Sequence, residues 1–211
     1  VQIIDTEITS NDAIVGSGQN AGGLRIKAVG GAGGGSVLVD NVQIDNNDAG
    51  NQDGGVRISL GTSAITVVIQ DSSIVQNTAI DTGGLGIRTA NRVEVFNTEI
   101  SDNAGAARIG GAYAEFASVL FDGVMLDSNS TGGTLSALQA SDLTSDFEFI
   151  GCEITNNAIT GNGYAILVQG SATYGAVMAD VLIARNYGHA AAFFGGGAAL
   201  EGFADLTNVL V

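Results

Sequence analysis

The chain is poor in several residue types that most globular domains contain. Its 211 residues include no proline, no tryptophan, one cysteine and one histidine, and only 14% are charged. A lone cysteine, Cys152, excludes an intrachain disulfide and any cysteine-based metal cluster. Its neighbours have the pattern of strand residues, so we expect a structural thiol.

Basic residues and long apolar runs are also scarce. Seven Lys and Arg stand against 22 Asp and Glu, which gives a formal net charge of -15. This charge repels nucleic acid phosphates and anionic membrane surfaces. No apolar run approaches the ~18 residues of a membrane span. We therefore expect no nucleic-acid partner and no membrane insertion, and the acidic balance favours an extracellular or cell-surface location.

Glycine and hydrophobic residues are abundant instead, with 32 Gly and 45% hydrophobic residues. A glycine-rich chain without proline is compatible with disorder. The hydrophobic content nevertheless supplies enough apolar surface to offset the entropy lost on ordering. A folded chain is the better interpretation.

One motif recurs along the whole chain, an aliphatic residue three positions before an asparagine. The intervals between successive asparagines run from 26 to 36 residues. A period in this range is typical of solenoid proteins. The asparagines are Asn11, Asn47, Asn77, Asn103, Asn129, Asn157 and Asn186, and the aliphatic residues are Ile8, Ile44, Ile74, Ile100, Leu126, Ile154 and Ile183.

Other positions repeat in the same frame. A second inward column is expected ten residues before each Asn, from Val1 to Phe147, with a slip of one to Val177. After each Asn a glycine pair or its remnant leads into an alternating segment such as Val56–Ser59, and period-two alternation indicates a half-buried strand. Turn-forming residue types stand six positions before each Asn, at Asp5, Asn41, Asp71, Asn97, Gly123, Gly151 and Asp180.

The repeat predicts an all-β fold, a right-handed parallel β-helix with three short strands per coil, about seven coils and an Asn ladder at one corner. Right-handed winding follows from the strong rule for parallel crossovers. Leucine-rich repeats have a similar period and an Asn, but they need an aliphatic residue five before the Asn and a helical return. Here that position is often polar, as at Thr6 and Ser72, and the return alternates.

The asparagine column is expected to be structural. A buried amide without a partner costs on the order of 1–3 kcal/mol, so the column is favourable only when it is continuous. The formal glycosylation sequon at Asn129 belongs to this ladder, and we discount it.

Four basic residues form an outward stripe. Arg25 and Arg57 occupy one position in adjacent coils, and Lys27 and Arg88 share another. These four are the candidate ligand-binding residues, for an anionic glycan or a partner's carboxylates. The alternative is that they neutralise nearby acids such as Asp53 and Asp81.

Metal and catalytic patterns are weak. The acidic turn 45–48 has oxygen ligands that suit calcium. No glycine-rich calcium-binding nonapeptide occurs in the sequence, so no motif supports calcium binding. The lone His189 lies between Gly188 and Ala190, and no Asp-Asp pair exists. We assign no metal ligand, no cofactor and no catalytic residue.

With its Ile-x-x-Asn, Gly-Gly and Val-x-Val motifs, the chain resembles the right-handed parallel β-helix superfamily over residues 1 to 211. That superfamily includes pectate lyases, polygalacturonases, alginate epimerases, phage tailspikes and surface adhesins. Segment 93–103 is most similar to repeats of autotransporter-like and polymorphic membrane proteins, which implies adhesion or scaffolding. Hydrolases of this fold carry clustered Asp residues and a Gly-His-Gly segment, which this chain lacks.

We expect one domain spanning 1–211 that is uncapped at both ends, because Val1 begins on a strand and 206–211 opens a further coil. The predicted function is an extracellular structural or surface-adhesion segment, either self-associating end to end or continuing into flanking segments of a longer chain. The alternative is a glycan-binding or polysaccharide-processing protein of the lyase, epimerase or hydrolase kind.

Overall fold

The structure, a computed structural model, describes residues 1–13, 21–28, 33–133, 135–160, 163–169, 174, 176–187, 198–201 and 204–207. Every regular element in these residues is a β-strand. The described residues contain no helix that is long and apolar enough to cross a membrane. In chain order the strands are β1 Gln2–Thr9, β2 Asp12–Ala13, β3 Leu24–Lys27, β4 Gly35–Asp45, β5 Asp48–Ala49, β6 Val56–Ser59, β7 Ile65–Gln70, β8 Ser73–Val75, β9 Thr78–Ala79, β10 Leu85–Phe96, β11 Glu99–Ser101, β12 Ala104–Gly105, β13 Ala112–Asp122, β14 Met125–Asp127, β15 Ser130–Thr131, β16 Leu135–Ser141, β17 Phe147–Ile150, β18 Glu153–Thr155, β19 Ala158–Ile159, β20 Tyr164–Gln169, β21 Ala176–Ala179, β22 Leu182–Ala184, β23 Ala198–Glu201 and β24 Ala204–Thr207.

Strands of successive coils pair in parallel and in register, as Val39, Ile69 and Val95 do. Eighteen strands form one continuous sheet that bends at the corners into three faces. We call them the first face (containing β7), the ladder face (β8) and the return face (β6). A further sheet of six two-residue strands follows the asparagines, so each coil has a short fourth segment. The predicted all-β parallel β-helix is confirmed, and its handedness stays a prediction.

The number of turns is lower than the seven coils expected from the asparagine series. About five turns are supported by the structure. The first and the last predicted coils contain long stretches, 14–20 and 188–197, that lie outside the described residues. The asparagine series therefore counts more coils than the structure supports.

The corners are made by residues in the left-handed region of backbone space. All seven predicted turn residues, from Asp5 to Asp180, have φ between 44° and 65°. A second left-handed column, with φ of 53° to 56°, directly precedes the asparagines and was not predicted. Its members are Ser10, Asn46, Gln76, Asp102, Ser128, Asn156 and Arg185. These two corners are left-handed at all seven positions of the series, and a third corner is left-handed in some coils, at Gly61, Thr89, Phe116 and Asp142.

The polar position that argued against leucine-rich repeats follows the first corner. Ser72 Oγ donates to the carbonyl of Gln70 at 2.6 Å and accepts from the backbone N–H of Val42 at 3.0 Å. Thr98 Oγ1 donates in the same way to the carbonyl of Phe96 at 2.7 Å. The hydroxyl of Thr98 is a second donor to this carbonyl, because Phe96 also accepts the backbone N–H of Asp71 at 3.1 Å.

The interior is filled by the predicted aliphatic columns. Residues three before each Asn are buried from Ile44 to Ile183, and Ile8 packs against them. Two members of the second inward column are not core residues. Val1 is 83% exposed. Val177 is not the inward residue of its strand, because the register pairs Phe147 with Ala176, which is buried. The sequence contains an apolar residue at both positions, so pattern alone chose the larger one.

The asparagine ladder is continuous over all seven positions. Each Nδ2 donates to Oδ1 of the next asparagine at 2.8 to 3.1 Å, as Asn77 does to Asn103. The same Oδ1 also accepts the backbone N–H of the preceding asparagine at 2.9 to 3.1 Å. Nδ2 donates in addition to a carbonyl one coil back, that of Ile44 for Asn77. Buried amide groups are thereby fully paired.

The glycine pair is required by this ladder. A Cβ placed on Gly55 would lie 2.6 Å from Cγ2 of Ile74 and 3.0 Å from Nδ2 of Asn77. Neither neighbour has room to move, because the first is in the core and the second is held by the ladder. The glycines therefore let the return strand approach the asparagine corner.

We predict that Asn103→Ala lowers the free energy of unfolding by about 1–3 kcal/mol. The change removes the acceptor of two Asn77 donors and the donor to Ile74. Urea unfolding followed by circular dichroism measures it. The exposed amide of Asn91 supplies the control, since Asn91→Ala should change stability little. Equal losses for both variants would contradict a stabilising ladder.

Candidate functional site

The predicted basic stripe lies on the outer side of the return face. Arg25 and Arg57 are partners in adjacent strands, and Lys27 pairs with Ser59 in the same strands. Arg25 and Lys27 are exposed, whereas Arg57 is only 2% exposed. Alternation predicted a solvent-facing side here, and that prediction was wrong for Arg57 because other side chains cover it.

The first of these side chains is the carboxylate of Asp53, which is fully buried. Arg57 Nη1 donates to its Oδ2 at 2.7 Å, and Arg88 Nη2 donates to its Oδ1 at 3.1 Å. Arg57 also contacts the side-chain oxygen of Gln52. A Cβ on Gly86 would lie 2.1 Å from Asp53 Oδ1. Gly86 therefore leaves the space in which the carboxylate sits between two coils.

The second acid, Asp81, extends the contacts to the next coil. Arg88 Nη2 contacts its Oδ2 at 2.5 Å, and Arg108 Nη1 lies 3.4 Å from its Oδ1 as a longer ion pair. The guanidinium carbons of Arg88 and Arg108 stand 4.5 Å and 4.6 Å from the ring centroid of Tyr113. We call Asp53, Arg57, Asp81, Arg88, Arg108 and Tyr113 the charge cluster.

A small apolar layer lies beside the charge cluster, outside the solenoid interior. Tyr113 is 2% exposed and packs with Ile109, Tyr164 and Leu167. Arg108 and Tyr113 were missed by sequence reasoning. Tyr113 follows the pair Gly110-Gly111 in the same position as Arg57 follows Gly54-Gly55, so extending the alternation by one coil would have found it.

Burial shapes the electrostatics of the cluster. Loss of solvation, together with the nearby Arg88 and Arg25, lowers the pKa of Arg57 although Asp53 opposes this. For Arg88 burial also acts downward, but Asp53 and Asp81 outweigh it and raise its pKa. Arg57 Nε is buried and has no hydrogen-bond partner among the described residues. Three guanidinium groups thus face two carboxylates, an excess of one positive charge.

The ligand-binding role of Arg25, Lys27, Arg57 and Arg88 stays a prediction. The structure gives Arg57 and Arg88 intramolecular partners, the two acids that the alternative interpretation named. Each ion pair joins neighbouring coils or fixes a side chain within one coil. The ion pairs of the charge cluster thus join three successive coils on their outer side.

A polar groove of about 560 Å³ runs along the first corner. Two amide–carboxylate pairs stand in it, Asn41 Nδ2 to Asp5 Oδ1 at 2.8 Å and Asn97 Nδ2 to Asp71 Oδ1 at 3.2 Å. Asp and Asn alternate over the first four positions of the corner column and form these two pairs. These side chains are thus engaged with one another.

The remaining candidate groups are the thiol of Cys152, the acidic side chains and His189. Cys152 is buried, and burial raises the pKa of its thiol to about 11 while Sγ contacts the carbonyls of Phe121 and Ile150. Across the described ranges, no three or more His, Cys, Asp or Glu side chains are grouped to hold a metal ion. In the acidic turn 45–48, Asn47 belongs to the ladder. His189 lies outside the described residues.

The architecture defines the class of this protein as a parallel β-helix. No family model matches the chain, and neither the curated proteins nor the solved structures give a match. The likeness to adhesin and autotransporter repeats therefore rests on the repeat marks alone.

We predict that Asp53→Asn destabilises the chain by about 3–5 kcal/mol, because it leaves Arg57 buried without its counter-charge. Thermal and urea unfolding measure the change. Asp48→Asn is the matched control, since Asp48 is exposed. Gly86→Ala should resemble Asp53→Asn, because its methyl group takes the place of the carboxylate. If Asp53→Asn unfolds like the parent chain, the cluster does not fasten the coils.

Proposed function

We propose that this chain is a structural segment of an extracellular or cell-surface protein, a stiff β-helical rod that holds adhesive surfaces in place. One observation carries the proposal. The buried amides of the ladder are paired mainly between coils, and the charge cluster adds the inter-coil ion pairs Asp53–Arg88 and Asp81–Arg108, so these polar groups join one turn to the next. The same side chains are then engaged and not available for chemistry.

The net charge of the chain supports the location. The net charge of -15 keeps a rod soluble and separate from anionic membranes and nucleic acids. The similarity of the repeats to surface-exposed β-helices points the same way.

Single-molecule force spectroscopy tests the mechanical role. Because each coil contacts mainly its neighbours, stretching should release the chain in steps of one coil. A coil of 26 to 30 residues should add roughly 90 Å of contour length when it is released. Asn103→Ala should lower the force of the step at its own coil, and Asn91→Ala should leave all steps unchanged. Smooth extension without steps would contradict a rod of joined coils.

A second candidate function is binding of an anionic polysaccharide at the exposed side chains of Arg25 and Lys27. The observation that favours it is the positive excess of the adjoining charge cluster in an otherwise acidic chain. Charge pairing at a surface is screened by salt. The candidate predicts salt-sensitive retention of the intact chain on polygalacturonate.

The double variant Arg25→Ser, Lys27→Ser should elute at lower salt, whereas Arg185→Ser, an exposed arginine on another face, should not. Parent-like elution of the double variant would remove the candidate. The polymer that leaves the column should also be assayed for new reducing or unsaturated ends. Their appearance would contradict the structural proposal and favour a polysaccharide-processing enzyme.

A further inference from the structure

A second concave surface lies at the corner between the return face and the first face. Its volume is about 260 Å³, and its walls include Thr62, Thr89, Asn91, Phe116 and Thr144. These residues come from successive corners of neighbouring coils, so the cavity is built by stacking. None of its seven lining residues is charged. It is separate from the charge cluster and from the groove at the first corner.

Phe116 stands out among these residues for its exposure. Its side chain is 47% exposed, whereas Phe121, Phe147 and Phe149 are completely buried and Phe96 is partly buried. An exposed ring keeps apolar surface in water. Isolated exposed apolar residues are common, so exposure alone does not define a site.

The backbone at the same residue is strained. Phe116 has a φ of 50°, and Thr89 in the coil before has a φ of 60°. Bulky and β-branched residues are unfavourable at positive φ, where Gly, Asn and Asp are common. The neighbouring corners conform to that preference, with Gly61 at 60° and Asp142 at 49°. Phe116 and Thr89 occupy the strained positions that face this cavity, and such strain is frequent at ligand sites.

The lining has the chemistry of a sugar site. The face of an aromatic ring is electron-rich and attracts the C–H groups on the apolar side of a pyranose. Threonine hydroxyls and the Asn91 amide donate and accept hydrogen bonds, as sugar hydroxyls do. The volume lies just below the ~300–1,000 Å³ of sites for larger ligands, which suits one ring of an oligosaccharide.

We propose that this cavity binds one residue of a neutral glycan, with the ring of Phe116 stacked on the sugar and Thr62, Thr89, Asn91 and Thr144 bonded to its hydroxyls. A neutral ligand is favoured because the lining is uncharged and the net charge of -15 repels uronates and sulfated sugars. The site rests on the surface-adhesion part of the proposed function and supplies the contact that a rod alone lacks.

The test is saturation-transfer difference NMR on the whole chain, with cellotetraose, maltotetraose and chitotetraose as neutral probes and tetragalacturonate as the charged probe. Irradiating the aromatic protons should transfer saturation to the C–H protons of at least one neutral probe. The tetragalacturonate should give no transfer. Titration calorimetry then supplies the dissociation constant of the probe that binds.

Phe116→Asn is the informative variant, because asparagine tolerates positive φ and removes the ring. It should unfold at the same or a higher denaturant concentration than the parent. It should nevertheless bind the neutral probe about tenfold more weakly, because that is the affinity that one aromatic contact contributes. Phe116→Tyr should retain binding. Tyr187→Asn, which removes a 63% exposed ring on another part of the surface, should change nothing.

Three results would overturn the sugar site. These are no transfer to any neutral probe at millimolar concentration, binding that survives Phe116→Asn, and tighter binding of tetragalacturonate that is lost with Arg25 and Lys27. In each case stepwise extension under force would still test the rod separately. A sugar site without force steps would contradict the structural role and leave this proposal standing.

Discussion

A buried asparagine amide in this fold has to find its partners in the coils above and below. Asn77 illustrates the constraint, because it uses a carbonyl of one neighbouring coil and the Oδ1 of the other. The spacing of six residues between the first corner and the asparagine is the same at all seven positions, and a change in that spacing would move one of these partners out of reach. The left-handed corners and the glycine pair are consistent with that requirement, since they fix the path of the chain on both sides of the asparagine.

The charge cluster solves a related problem on the outer side of the return face. Burial of Asp53 would be strongly unfavourable alone, and it is acceptable only because arginines of two coils reach the same carboxylate. The ladder and the charge cluster therefore both join neighbouring coils. The ladder does so with neutral amides inside the solenoid, and the cluster does so with charged side chains on its outer side. A rod whose coils are joined in two places along its circumference is suited to hold other groups at fixed positions.

Repetition made the interior predictable from sequence. The asparagines, the aliphatic column from Ile44 to Ile183 and the first left-handed corner were all identified, since each recurs at a constant offset. The failures came where a residue differs in type from the others of its column. Ala176 stands at the constant offset of ten before Asn186, but the larger Val177 was chosen, and Tyr113 was missed because its neighbours in the column are arginine and glycine.

The outer contacts depended on space that a sequence does not display. Asp53 and Asp81 were named as acids that the basic stripe could neutralise, but the burial of Arg57 against Asp53 needed the space that Gly86 leaves between two coils. The corner column before the asparagines was also missed, because Gln76 and Arg185 are not usual turn residues. Tertiary context set their backbone conformation in place of local preference.

Hydrogen exchange of the asparagine side chains tests the central claim most directly. In two-dimensional NMR spectra of the native chain, the Nδ2 protons of Asn77, Asn103 and Asn129 should exchange with solvent far more slowly than those of the exposed Asn91. They should also exchange together, because each amide is released only when its coils separate. Ladder amides that exchange as fast as Asn91 would contradict the claim that they join the coils.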